Sequence, residues 1–194
     1  MTARGFVNNP GANYFFSYYN IKMFTDPVKN LKALRLREND IVADLGAGTG
    51  YYSIAAGQIV ARGKVYAVEI VKDFLATIKN KIAEARLDNV KILWGDIEKI
   101  GGTQIGDNIV DAAIASNVLF QVEDKNKFIK EIQRILKPGG RVLLIDWSAG
   151  SPGISPKGVL SQNKAQSMFE EQGFILERKI DVGTYHYGMI LVKH

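Results

Sequence analysis

The chain has 194 residues, of which 46% are hydrophobic and 23% are charged. It has no apolar stretch near the ~20 residues that span a bilayer and no secretory signal, so we expect one cytoplasmic globular domain. The absence of cysteine excludes disulfides, thiolate metal sites and a thiol nucleophile. The net charge of +5 comes from dispersed lysines, which are more typical of a solvated surface than of a nucleic-acid track, so binding to nucleic acid is possible but not favoured.

A glycine-rich turn follows the first predicted strand. Residues 42–50 read V-A-D-L-G-A-G-T-G, in which a short apolar run ends in Asp44 and glycines then recur at alternate positions. Residues 51–60 are compatible with a helix. Because glycine tolerates a positive φ and has no Cβ to block a ligand, this strand, turn and helix predict a nucleotide-like ligand at the carboxyl end of the strand. A glycine-rich turn without a ligand is the alternative.

The spacing of the glycines narrows the class of ligand. Dinucleotide sites use G-x-G-x-x-G and phosphate-loop NTPases use G-x-x-x-x-G-K-[ST], whereas this loop reads G-x-G-x-G and no lysine follows it. Asp44, two residues before Gly46, would repel a phosphate but would suit a ligand with an amino group and a positive charge. S-adenosylmethionine, which carries an ammonium and a sulfonium, has this chemistry.

Strand-like and helix-like segments alternate after the loop. The predicted strands span residues 64–70, 90–94, 109–115 and 141–147. The predicted helices span residues 73–87 with Asp73 as the cap, 124–136 and 161–172. The K-P-G-G sequence at 137–140 should end the second of these helices, and residues 148–157 should form a surface loop. This alternation predicts an α/β fold with helices on both faces of a parallel sheet.

The last two predicted strands break the parallel pattern. They span residues 173–181 and 185–192 and are joined by only three residues, 182–184. A parallel connection needs a crossover of a dozen or so residues, so these strands must pair antiparallel. We therefore predict a Rossmann-like, doubly wound, seven-stranded sheet that is parallel except for one strand near its carboxyl-terminal edge.

The order of these motifs resembles that of the class I S-adenosylmethionine-dependent methyltransferases, especially their small-molecule branch of the ubiquinone- and menaquinone-biosynthesis type, methyltransferase type 11. The matching features are D-L-G-A-G-T-G after the first strand, Glu69 at the end of the second, Gly95-Asp96 after the third, L-K-P-G-G-R before the fifth and the late antiparallel pair. The resemblance covers residues 38–194. It implies transfer of a methyl group from the sulfonium to a nucleophilic O, N or C atom of a small molecule, with S-adenosylhomocysteine as the product.

The resemblance also implies roles for individual residues. Those expected to contact the cofactor are Asp44, Gly46, Ala47, Gly48, Gly50, Glu69, Ile70, Asp96, Ile97, Ser116 and Asn117. Asp44 would lie near the methionine ammonium, and Glu69 would accept hydrogen bonds from both ribose hydroxyls. Asp96 would accept a hydrogen bond from the adenine amino group. Ile70 and Ile97, which follow Glu69 and Asp96, would pack against the adenine ring. The alternatives are a solvated Glu69, an Asp96 engaged in a local turn and an Asn117 that caps a helix.

In this family the substrate sits above the carboxyl ends of the strands, beneath an amino-terminal cover that would be residues 1–37 here. The candidate pocket residues are Tyr14, Tyr18, Tyr19, Phe120, Gln121 and Trp147. The aromatic stretch 13–24 would either enclose the sulfonium or a planar substrate, or form an amphipathic lid helix packed on the domain. Asp146 and His186 are weak candidates for a general base, with a structural role as the alternative. Two isolated histidines do not indicate a metal site.

Two other functions remain open at this point. One is a methyltransferase that acts on RNA or protein, and the other is a cofactor-binding protein, or a related nucleotide enzyme, without transferase activity. The N-P-P-[YF] signature of many amino-methylating enzymes is absent, since residues 116–119 read S-N-V-L. This absence disfavours the nucleic-acid reading.

Overall fold

The structure is a computed structural model that describes residues 26–152, 154–155 and 157–194. The helices are α1 (Pro27–Lys32), α2 (Tyr51–Ile59), α3 (Lys72–Glu84), α4 (Lys125–Ile135) and α5 (Gln162–Glu170). The strands are β1 (Ile41–Leu45), β2 (Lys64–Glu69), β3 (Val90–Trp94), β4 (Val110–Ser116), β5 (Leu136–Trp147), β6 (Phe174–Ile180) and β7 (His186–Lys193). The aromatic stretch 13–24 and most of the predicted cover at 1–37 lie outside the described residues.

The seven strands form one sheet in the order β3-β2-β1-β4-β5-β7-β6. Strands β1 to β5 pair in parallel, and β7 pairs antiparallel with both of its neighbours, β5 and β6. The predicted fold class is therefore confirmed, including the single strand of opposite direction. The strand order reverses between β1 and β4, and in such sheets ligands bind in the crevice at the carboxyl ends of the strands on either side of that point.

Both faces of the sheet are covered because its central strands are apolar on both sides. Helices α4 and α5 bury Phe128 and Phe169 against one face. Helices α1 and α2 bury Leu31 and Tyr52 against the other face. Helix α3 contributes Ile78 to a smaller cluster with Ala47 of the glycine loop and Ala67 of β2. The core thus holds the carboxyl ends of the central strands in fixed positions.

The predicted helix at 73–87 is wrong in its cap and in its length. Helix α3 begins at Lys72 and ends at Glu84, and its N-cap residue is Val71, whose side chain makes no capping hydrogen bond. Asp73 lies within the first turn, where its negative charge still favours the helix dipole. The start of this helix is therefore set by backbone and tertiary contacts rather than by a side-chain cap.

Helix α1 was absent from the predicted elements, although the sequence carries a signal for it. The Asp26 carboxylate accepts hydrogen bonds from the backbone N–H groups of Val28 (2.9 Å) and Lys29 (3.3 Å), and Pro27 occupies the first helical turn. An aspartate followed by proline is a typical helix start.

Strand β5 is longer than predicted because Leu136, just before the K-P-G-G sequence, already pairs with β4. Helix α4 ends at Ile135, as that sequence predicts, and the strand begins at the next residue. The register shifts between Val110↔Leu136 and Ala112↔Arg141, which marks a β-bulge. The bulge takes up the four residues 137–140, between Leu136 and the regular part of the strand.

A buried ion pair fixes the loop between β3 and β4. The carboxylate of Glu131 accepts hydrogen bonds from the backbone of Gly101 (2.8 Å), the Thr103 hydroxyl (2.6 Å) and the guanidinium of Arg134 (2.7 and 2.8 Å). Arg134 also pairs with Asp107 at 2.5 Å. A buried charge is tolerated when it is paired and hydrogen-bonded, so this network holds the loop that follows the Gly95-Asp96 turn.

Candidate functional site

The glycine loop makes a tight turn between β1 and α2. The backbone N–H groups of Gly46 and Ala47 both donate to the Val68 carbonyl, at 2.9 and 3.0 Å, and the Gly50 N–H donates to the Ala47 carbonyl at 2.8 Å. The loop is thereby attached to β2 as well as to β1. This attachment brings the loop to the carboxyl ends of two adjacent parallel strands.

Glycine is needed at the three alternate positions for different reasons. Gly46, Gly48 and Gly50 all have a positive φ, of +70°, +54° and +80°, which glycine adopts without strain. A Cβ at Gly46 would lie 2.6 Å from a methyl of Val118, and one at Gly50 would lie 3.1 Å from Ile78. A Cβ at Gly48 would meet nothing within 4 Å. Gly46 and Gly50 therefore allow close packing inside the protein, whereas Gly48 is the open position that a ligand can approach.

Asp44 is buried directly beneath this loop. Its Oδ2 accepts a hydrogen bond of 2.5 Å from the hydroxyl of Ser53, on the first turn of α2. Burial raises the pKa of Asp44 to about 7, the Ser53 hydrogen bond lowers it, and the neighbouring Glu69 carboxylate raises it. A cationic group placed beside Asp44 would favour its ionised form. Sequence patterns did not identify Ser53, which lies nine residues after Asp44 on the helix that the glycine loop begins.

Glu69 joins the glycine loop to the loop between β2 and α3. Its side chain is buried, with 6% of the residue exposed. Oε2 accepts a hydrogen bond from the Gly48 N–H, and Oε1 accepts from the N–H groups of Ile70 and Val71, each at 2.8 Å. A carboxylate oxygen accepts about two hydrogen bonds, so Oε2 retains one free acceptor position and Oε1 has none. Glu69 is therefore an ordered acceptor, and the solvated alternative is wrong.

The side chain of Asp96 is engaged in a local turn. Its Oδ1 accepts from the Glu98 N–H at 3.0 Å, and its Oδ2 pairs with the Lys99 ammonium at 2.9 Å. The Lys99 hydrogen bond lowers the pKa of Asp96. Of the two isoleucines predicted near adenine, Ile97 packs against the core and Ile70 is 51% exposed. The turn role predicted as the alternative is present, and a ligand contact by Asp96 stays a prediction.

Ser116 and Asn117 lie where β4 ends, next to the glycine loop. Asn117 has a φ of +56°, its N–H donates to Ile145, and its carbonyl accepts from the Gln121 side chain, both at 2.8 Å. Its side-chain Oδ1 is buried and has no hydrogen-bond partner in the part of the chain that the structure describes. The helix-cap alternative is wrong for Asn117, because the N-cap of α4 is Asp124.

Asp146 and His186 do not form a catalytic pair. Register places Asp146 opposite Tyr187 and Trp147 opposite His186, so the two candidate bases project to opposite faces of the sheet. Asp146 is buried, and its two oxygens accept from the backbone of Trp147 (2.8 Å) and Phe120 (2.7 Å). Burial raises its pKa to about 7. The hydrogen bonds anchor the loop after β4 and thus favour the structural role.

His186 packs against an aromatic residue of the predicted pocket. Its ring centroid lies 4.0 Å from that of Trp147, and burial lowers the pKa of His186 to about 4. The imidazole is therefore neutral near pH 7. Phe120 is half-buried and Gln121 is exposed at the same edge of the sheet. Tyr14, Tyr18 and Tyr19, also predicted for the pocket, lie outside the described residues.

The described residues offer neither a metal-binding cluster nor a helix that could span a membrane. Within 26–152, 154–155 and 157–194, no cluster of three or more histidine, aspartate or glutamate side chains has an arrangement that could hold a metal ion. No helix in these ranges has both the length and the apolar character needed to cross a membrane.

Comparisons with known proteins agree with this geometry. A family model described as a methyltransferase domain matches residues 36–176. A demethylmenaquinone methyltransferase of Geobacillus sp. (strain WCH70) is 29% identical over 119 residues, covering 61% of this chain and 50% of the relative. A ubiquinone/menaquinone biosynthesis C-methyltransferase of Vibrio cholerae is 28% identical over 153 residues, covering 78% and 56%. The chain thus spans about half the length of these curated relatives.

A solved structure supports the same assignment. The crystal structure of a SAM-dependent methyltransferase from Aquifex aeolicus superposes with a TM-score of 0.82 at 27% identity, covering 96% of this chain and 99% of that one. The similarity therefore extends over nearly the whole of both chains.

We predict that Asp44→Asn stabilises the ligand-free protein at pH 8. Burial raises the pKa of Asp44 from 3.8 to about 7. The folded protein is therefore stable with a protonated Asp44 below pH 3.8, and it loses stability as the pH rises towards 7 because the buried carboxyl resists ionisation. The neutral amide avoids this loss, and the free energy of unfolding should rise by up to about 4 kcal/mol at pH 8 and by less at pH 5. Urea denaturation at the two pH values measures the difference.

The matched control for this measurement is Asp73→Asn, which removes an exposed carboxylate. Its effect should stay within about 0.5 kcal/mol at both pH values. An Asp44→Asn variant that is destabilised equally at pH 5 and pH 8 would contradict the prediction.

Proposed function

The chain belongs to the methyltransferase-domain family, and from this premise we propose that it transfers a methyl group from S-adenosylmethionine to a small molecule and releases S-adenosylhomocysteine. The observation that carries the proposal is the placement of two buried carboxyl groups, Asp44 and Glu69, at the ends of adjacent parallel strands, with Glu69 hydrogen-bonded to the open glycine Gly48. S-adenosylmethionine is the cofactor of this family, and its cationic amino acid end and its ribose diol match the two carboxyls in chemistry.

The residues present fit this cofactor. Asp44 would hold the ammonium of the methionine moiety beneath the glycine loop. Glu69 would accept one ribose hydroxyl at the free position of Oε2, and acceptance at Oε1 would require an N–H of Ile70 or Val71 to give way. The exposed side chain of Ile70 would pack against the adenine ring, opposite Ile97.

The chain's part in the reaction is to orient two reactants and to exclude water. When bound, the cofactor supplies a methyl group activated by its sulfonium, and transfer is an in-line displacement that leaves a neutral sulfur. The edge of the sheet formed by β4 and β5, with Asn117 and Trp147, would align the acceptor with the methyl group. We propose no general base, because Asp146 is held by backbone amides and His186 is packed against Trp147. The acceptor atom would then be nucleophilic on its own or would lose its proton to solvent.

We propose an acceptor with a phenol- or quinol-type ring. One relative is named a demethylmenaquinone methyltransferase and another a ubiquinone/menaquinone biosynthesis C-methyltransferase. Aromatic side chains line the edge where the acceptor would lie, with Phe120 half-buried and Trp147 stacked on His186. The dispersed lysines and the small-molecule relatives both disfavour RNA or protein as the acceptor. The predicted cytoplasmic location stays a proposal.

Cofactor binding is the first test. Calorimetry should show that S-adenosylmethionine and S-adenosylhomocysteine bind and that NAD binds more weakly or not at all. Glu69→Ala should weaken both sulfur ligands by about tenfold or more, because a charged acceptor is lost, while the fold is retained. Glu84→Ala removes an exposed carboxylate at the end of α3 and is the matched control. Tighter binding of NAD, or an unchanged affinity in Glu69→Ala, would refute the assignment.

Binding of S-adenosylmethionine should also release a proton. Burial keeps Asp44 largely protonated at pH 6, and a cationic ligand beside it would lower its pKa. Calorimetry at pH 6 in two buffers of different ionisation enthalpy should therefore report release of about one proton per ligand. The affinity should rise between pH 5 and pH 7. Asp44→Asn should abolish the release, and persistence of the release in that variant would assign it to another group.

Transfer itself can be followed with a cofactor labelled in its methyl group. We expect label to enter 1,4-naphthohydroquinone, a simple quinol, and not bulk tRNA or casein. Label in tRNA or casein would instead support the macromolecular alternative. Cofactor binding without transfer to any of the three would support a binding protein that lacks transferase activity.

A further inference from the structure

Trp94 is an exposed aromatic residue with an ordered hydrogen bond. It is the last residue of β3, it is 57% exposed, and it is one of two tryptophans in the chain. Its indole N–H donates to the carbonyl of Ile70 at 2.9 Å. The ammonium of Lys72 lies 5.6 Å from the centroid of the ring. Trp94 thus contacts the loop between β2 and α3 from the neighbouring strand.

The loop that Trp94 contacts is the one that holds Glu69. The backbone of Ile70 donates through its N–H to Oε1 of Glu69 and accepts through its carbonyl from Trp94. Val71 also donates to Oε1, and its own side chain makes no capping hydrogen bond to α3. The N–H of Gly95 donates to the Glu69 carbonyl at 3.2 Å. Two hydrogen bonds from the end of β3, to the carbonyls of Glu69 and Ile70, therefore hold residues 69–71.

Trp94 acts on this loop from the side of the sheet that α3 covers. Successive residues of a strand face opposite sides, and Leu93 belongs to the core cluster that includes Phe128 of α4. Trp94 therefore faces the other side, beside Lys72 at the start of α3. Ile97, predicted to contact adenine, packs with the cluster of Leu93. This placement favours an action of Trp94 through the Ile70 carbonyl over a direct contact with adenine.

We propose that Trp94 is a positioning residue, which holds residues 69–71 in the conformation that presents Glu69 to the ribose of the cofactor. The inference rests on the proposed function and extends it to a residue outside the glycine loop. Without the indole N–H, the Ile70 peptide would lose its partner on β3 and could rotate. Rotation of the peptide between Ile70 and Val71 would move the Val71 N–H, which donates to Oε1, and with it the acceptor position on Oε2.

The test is a double-mutant cycle on ligand affinity. Trp94→Phe keeps an aromatic ring beside Lys72 and removes the N–H, whereas Lys72→Gln keeps the N–H and removes the cation over the ring. Calorimetry should use S-adenosylmethionine, S-adenosylhomocysteine and 5′-methylthioadenosine, which share the ribose but differ at the amino acid end. Trp94→Phe should weaken all three by a similar factor of about three to ten, and Lys72→Gln by less than about twofold.

Repeating the Trp94→Phe measurement in the Glu69→Ala variant distinguishes a positioning role of Trp94 from general destabilisation of the protein. If Trp94 acts through Glu69, Trp94→Phe should change affinity by less than about twofold once Glu69 is absent. Equal losses in both backgrounds, no loss in the native background, or an equal loss in Lys72→Gln would each overturn the proposal. Should Trp94→Phe fold poorly, Trp94→3-benzothienylalanine removes the N–H and keeps the shape of the ring system. A native protein that binds none of the three ligands would instead overturn the proposed function.

Discussion

Two acidic side chains are buried beneath one glycine loop, and the chemistry of the site depends on how their charge is balanced. Glu69 accepts three backbone N–H groups, whereas the hydrogen bonds described for Asp44 all come from one residue, Ser53. Asp44 is consequently the less compensated of the two, and burial raises its pKa to about 7. A cationic ligand would supply the missing positive charge, and an anionic one would increase the imbalance. In the proposed function the pair would therefore favour a cationic ligand whatever its shape.

The topology of the sheet places this pair beside the proposed acceptor site. Asp44 is the second-last residue of β1 and Glu69 is the last residue of β2, while Asn117 directly follows β4 and Asp146 is the second-last residue of β5. All four strands run in the same direction, so their carboxyl ends share one edge, and the reversal of strand order opens that edge between β1 and β4. Asp146 uses its carboxylate to tie the loop after β4 to this edge. Cofactor and acceptor would thus meet over a rigid parallel core.

Much of this arrangement could be predicted from the sequence, because it depends on spacing along the chain. Three residues between the last two predicted strands are too few for a crossover, which correctly predicted that these two strands pair antiparallel. The partners of individual side chains depend on spatial proximity instead. Ser53 is one polar residue in an ordinary helix, and only its packing against Asp44 gives it a role. Asp73 was predicted to cap α3 because it precedes apolar residues at helical spacing. The turn before α3 is instead held by Glu69 and Trp94, which come from two different strands. Such contacts leave no periodic signal.

The last strands do not lie in the sheet in the order in which they are synthesised, because β7 lies between β5 and β6. This strand is the last to appear along the described chain, yet it lies inside the sheet between β5 and β6. Strand β6, made earlier, has no neighbour in the sheet until β7 arrives and pairs with both sides. This end of the sheet therefore stays incomplete until β7 is synthesised, and the apolar side chains of β5 and β6 remain uncovered on the nascent chain. Until β7 is made, a chaperone that binds exposed apolar strands would have a target at this end of the molecule.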